Sequence, residues 1–102
     1  MYRASDEVNN EEWLARLQRA AESLELSAEA RSNATDLFLS AVPEADRSKP
    51  TMAAAALYAG ALVAGDERSQ IAVADAMDVT RLSVQQHWKG LLEDAGFTPP
   101  TW

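Results

Sequence analysis

At 102 residues, with sixteen acidic against nine basic side chains and no cysteine, the chain is one small domain carrying a net charge of −7. The length supports a single hydrophobic core, and disulfides and a cysteine-held zinc site are excluded. Ala is the commonest residue, while Gly and Pro are sparse, a composition that favours helices because Ala and Leu lose least on entering one. Only Lys49 and Lys89 are lysines, and an acidic, lysine-poor, Ala-rich surface fits a salt-adapted (halophilic) source as well as an ordinary acidic domain. No apolar stretch is long enough to span a bilayer and the charged N-terminus is no signal peptide, so a cytoplasmic protein is expected.

Residues 1–8 are charged and aperiodic, and read as a flexible segment. Asn9 and Glu12 fit a capping box, and Trp13, Leu14, Leu17, Ala20, Ala21 and Leu24 then recur at helical spacing. Ser27 caps a second helix whose apolar stripe is Ala30, Ala34, Leu37, Phe38, Ala41 and Val42, with Pro43 as its stop. After a polar loop, Pro50 suits the first turn of a third helix that is apolar nearly all round, as expected for a helix buried among others. Gly60 reads as a close-packing point within it, and Gly65 as its C-terminal cap. Ser69 caps a short fourth helix ending near Met77. Asp78 and Val79 make a turn, and Thr80 caps a fifth helix with Leu82, Val84, Trp88, Leu91 and Leu92 on its inner face. Trp88 is expected to be half-buried. Gly96 ends this helix, and residues 97–102 form a tail containing Pro99, Pro100 and the aromatic Trp102.

The expected fold is therefore all-α, a five-helix bundle over residues 9–96 whose last two helices form a helix-turn-helix. That unit presents its second helix to the major groove of DNA. The order of its parts carries a resemblance. Asp46-Arg47-Ser48 is followed by the Ala53–Tyr58 helix, then by Ser69-Gln70 with Val73 and Ala74. Val79-Thr80 with Ser83 and Val84 comes next, and Trp88-Lys89 with Leu91 closes the set. In order and spacing the sequence resembles a single cyclin-like repeat of the archaeal transcription initiation factor B (TFIIB-like) family. Leu24-Glu25-Leu26-Ser27 is similar to that family's Leu-Gly-Leu-Pro junction. The chain departs from the family pattern in three places. A zinc ribbon and a second repeat have no counterpart in these residues. Gln85, Gln86 and His87 stand where the family has Arg-Asn-Arg. The glycine of the family's helix-turn-helix turn is replaced near Met77–Asp78.

The resemblance implies a transcription-associated protein that binds double-stranded promoter DNA, the TATA-binding protein or other initiation proteins. The alternative is a protein-interaction module that keeps the cyclin-like fold without touching DNA. The DNA-facing set is Ser69, Gln70, Thr80, Arg81, Ser83, Gln85, Gln86 and Lys89. Hydroxyls and helix N-terminal amides suit phosphates, and Gln can pair bidentately with adenine. Read as structure alone, Ser69 and Thr80 are caps and the glutamines are solvated. Between Asp66 and Gly96 only Arg68, Arg81 and Lys89 are basic, against six acidic residues, so this half is no basic patch. His87 is the only histidine and has no Cys or second His to complete a metal site. With no glycine-rich phosphate loop and no nucleophile–base pair, neither a cofactor nor an enzymatic activity is expected.

Overall fold

The computed structural model describes residues 11–40 and 49–97. Among the described residues there are five helices: α1 (Glu11–Ser23), α2 (Ala28–Ser40), α3 (Lys49–Val63), α4 (Gln70–Met77) and α5 (Arg81–Asp94). No strand occurs among the described residues. The Asn9 cap, Ala41, Val42, the Pro43 stop, the Asp46–Ser48 loop and the tail from 98 onward lie outside the described residues.

Burial on α3 runs without a break from Ala53 to Ala61. A helix with no polar face can satisfy its surface only by being surrounded. It packs chiefly on α2 and α5, with α1 and α4 closing the remaining sides. The small side chains set how close these neighbours come. A Cβ placed on Gly60 would meet the Ala34 backbone nitrogen at 2.5 Å and the Ala34 Cα at 2.8 Å, so α2 lies directly against the α3 backbone. The Asn33 side chain adds a hydrogen bond from Nδ2 to the Gly60 carbonyl at 3.4 Å.

Local signals mark both helix starts and helix stops. Ser27 Oγ accepts from the Ala30 amide, Ser69 Oγ from the Ala72 amide and Thr80 Oγ1 from the Ser83 amide. Each satisfies an amide that has no partner within its own helix. Four helices end on the same device, a left-handed residue followed by an amide that reaches back five residues. The left-handed positions are Glu25, Gly65, Asp78 and Gly96. The amides are Leu26 to the Ala21 carbonyl, Asp66 to Ala61, Val79 to Ala74 and Phe97 to Leu92.

Two expectations on α5 need correction. Leu82 does not face inward; it is 60% exposed. Trp88 is not half-buried but fully enclosed, its ring edge-on to Tyr58 with centroids 5.2 Å apart. On α2, Leu39 joins Ala30, Ala34, Leu37 and Phe38 in the core. On α1 the fully buried residues are Leu17, Ala20 and Ala21, with Trp13, Leu14 and Leu24 packed against their edge.

Candidate nucleic-acid interface

The turn between α4 and α5 is short because two local rules meet there. Asp78 takes the left-handed conformation (φ 57) that closes α4, and Thr80 is extended (φ −85, ψ 150), opening α5 as its N-cap. Val73, Ala74 and Met77 of α4 and Val84, Trp88, Leu91 and Leu92 of α5 are buried, which fixes the two helices on the bundle. The opposite side of α5 faces solvent.

On that side Arg81, Leu82, Gln85 and Gln86 are exposed, and Lys89 is partly so. Leu82, Gln85, Gln86 and Lys89 are three, four and seven residues apart, so they share one face of the helix. Lys89 Nζ stands 5.5 Å from the Trp88 ring centroid, which anchors the side chain beside the face. From Arg81 to Leu92 the sequence contains no carboxylate, whereas Asp75 and Asp78 precede this stretch and Glu93 and Asp94 follow it. The acidic balance of the region therefore gathers at its ends.

The remaining expected residues divide by location. Ser69 and Thr80 are exposed and occupied as caps. Ser83 is partly buried, with its Oγ 2.9 Å from Thr80 Oγ1. His87 Nδ1 lies 2.8 Å from the Ser83 carbonyl oxygen, which directs the ring along the helix. Gln70 sits apart from the others. It is half-buried, its side chain is a hydrogen-bond partner of the Tyr58 hydroxyl, and its Oε1 is enclosed. Tyr58 also donates to Glu67 Oε2 at 3.4 Å. Burial raises the Tyr58 hydroxyl above its ordinary value; Gln70 opposes that shift and Glu67 adds to it.

Periodicity gave no sign of two further features. Arg68 adds no charge to this face. Its guanidinium donates to the Leu24 and Glu25 carbonyls and to Asp66 Oδ1 at 2.8 Å, tying the α3–α4 connection to the α1–α2 junction. The other Asp66 carboxylate oxygen accepts from the Ser27 amide at 2.8 Å. Arg16 and Arg19 of α1, in turn, line a groove of about 260 Å³ that reaches Met77 and Asp78 at the turn. Arg16 and Arg19 stand three residues apart, so both reach the groove from one face of α1.

A model of the transcription factor TFIIB repeat matches residues 8–94. The chain belongs to the TFIIB repeat family. It is also 33% identical, over 87 residues, to transcription initiation factor IIB 2 of Thermococcus kodakarensis, a match that covers 82% of this chain and 28% of that protein. The chain thus spans under a third of the length of this curated relative. TFIIB membership makes the helical bundle a cyclin-like fold and supports a role related to transcription. Among the described residues no helix is long and apolar enough to cross a membrane. Glu25 and Asp78 both hold the left-handed backbone that glycine would adopt freely.

Proposed function

We propose that this TFIIB repeat works in transcription initiation by setting α5 in the major groove of duplex DNA, with its helix-turn-helix as the reading unit. The observation that carries the reading is the carboxylate-free stretch from Arg81 to Leu92 within an otherwise acidic region. Phosphate contacts supply most of the affinity of such proteins, so the helix that approaches DNA must be clear of negative charge. Arg81 and Lys89 serve as phosphate contacts, while Gln85 and Gln86 face the base edges. Ser69 and Thr80 present capped helix N-termini to the backbone, a common phosphate-facing arrangement. Ser83 supports the Thr80 cap, and Gln70 contributes by bracing Tyr58 beneath the unit instead of by touching DNA.

Titration of fluorescent duplexes, random and promoter-like, over a salt series tests the reading. Arg81→Ala and Lys89→Ala should each weaken binding to all sequences alike and lower the salt slope by about one contact. A protein that binds no duplex even at low salt would leave the second reading, a protein-interaction module. One observation favours that alternative: Ile71 and Leu82, in the first turns of α4 and α5, are 59% and 60% exposed. Its partner would then be another initiation protein, the TATA-binding protein among them.

A further inference from the structure

We propose that α5 is built to prefer A·T base pairs, with Leu82 seated against a thymine methyl group and Gln85 or Gln86 paired with an adjacent adenine. The inference rests on the DNA-contact reading above and specifies its ligand. Leu82 is the starting point. A leucine in the first turn of a helix, two residues before a core valine, gains nothing by facing water. Yet it is 60% exposed, while Val84 and Trp88 on the same helix are fully buried. It lies on the same face as Gln85 and Gln86 and one turn ahead of them, in the part of a recognition helix that reaches base edges. A rise of 1.5 Å per residue puts Leu82 and Gln86 roughly 6 Å apart along the axis. Bases stack about 3.4 Å apart along one strand, so these side chains fall over two or three neighbouring pairs.

The chemistry of the face matches one class of base pair. In the major groove thymine offers a C5-methyl group, and adenine offers N7 with its N6 amino group. An aliphatic side chain complements the first and a carboxamide the second. Guanine is read best by a bidentate Arg or Lys. On this helix the two cations stand at the edges, Arg81 in the first position and Lys89 two turns on beside Trp88. The centre of the face carries Leu82, Gln85 and Gln86, with neither a cation for guanine nor a carboxylate for cytosine.

The test selects duplexes from a randomised pool at low salt with the full 102-residue chain, then alters single atoms of the DNA. The selected sites should hold adjacent A·T pairs. Replacing one thymine by uracil removes only the methyl group. It should weaken the wild-type protein by about fourfold, the worth of one buried methyl-sized group, and leave Leu82→Ala unchanged. Replacing adenine by 7-deazaadenine removes N7 and should weaken the wild type by roughly tenfold while sparing Gln85→Ala or Gln86→Ala. Circular dichroism of the three variants should match the wild type, since all three side chains are exposed. Selection of G·C-rich sites, or equal binding of thymine and uracil duplexes, would overturn the A·T reading and leave DNA contact standing. Failure to select any duplex at low salt would overturn both.

Discussion

Glu25 and Asp78 hold backbone conformations that L-residues adopt only at a cost, φ 56 and φ 57. The left-handed region brings Cβ against the following carbonyl and costs about 1–2 kcal/mol, less for Asp, whose short polar side chain is tolerated there. Glu25→Gly should therefore stabilise the domain by about 1 kcal/mol, after allowing for the extra freedom glycine brings to the unfolded chain. Thermal melting should show this as a rise of roughly 4–8 °C. Asp78→Gly should give a smaller rise. Gly60 presents the opposite case. Glycine in a helix interior is worth about 1 kcal/mol less than Ala, but a Cβ there would press on the Ala34 backbone. Backbone cannot swing aside, so Gly60→Ala should destabilise by about 1–3 kcal/mol, and a melt at or above the wild-type temperature would show that α2 and α3 can move apart.

At the scale of the helices, how much the sequence disclosed depended on the kind of signal. Spacing and caps gave the five helices and their order, because Ser27, Ser69 and Thr80 act within three residues of themselves. The unbroken burial of α3 followed from its lack of any polar face. Leu82 falls outside the core stripe for a local reason. It stands two residues before Val84, about 200° around the helix, so it cannot share the stripe of Val84, Trp88, Leu91 and Leu92. The depth of Trp88 was not legible, because it depends on where Tyr58 of α3 lies. Gln70 was hidden for the same reason. The caps give a prediction at this scale. Thr80→Ala should cost about 1 kcal/mol by freeing the Ser83 amide and should loosen the start of α5, read as faster amide exchange at Ser83 than at Trp88. If DNA contact also needs the hydroxyl, affinity should fall by more than the lost helix order explains.

Across the whole molecule, Arg68 and Asp66 join what the chain order separates. The pair links the α3–α4 connection to the end of α1 and the start of α2 through side-chain-to-backbone bonds. No periodic pattern reports such a tie, since its far partners are the backbone carbonyls of Leu24 and Glu25 and the backbone amide of Ser27. Arg68→Ala should destabilise by about 1–2 kcal/mol, because several carbonyls lose a charged donor at once, and Arg68→Lys should not restore it, since a point charge cannot reproduce the guanidinium fork. The Ser27 amide, followed by the Arg68 guanidinium, holds the Asp66 carboxyl below its ordinary value. A carboxyl with a lowered folded-state pKa adds stability above its unfolded value and loses it as pH falls through the folded one. Acid titration of the melting temperature should thus fall off below the ordinary carboxylate range, and Asp66→Asn should flatten that slope.

Four helices carry their own stop, a left-handed residue with an amide folded back over the last turn. Their lengths therefore owe nothing to the segments that join them. Residues inserted just beyond Val79 would lengthen a connection without extending a helix, and doubling a flexible loop costs only about 0.6 kcal/mol. Evolution can thus vary the loops of this bundle while its frame stays fixed, which lets one scaffold present new surfaces to new neighbours.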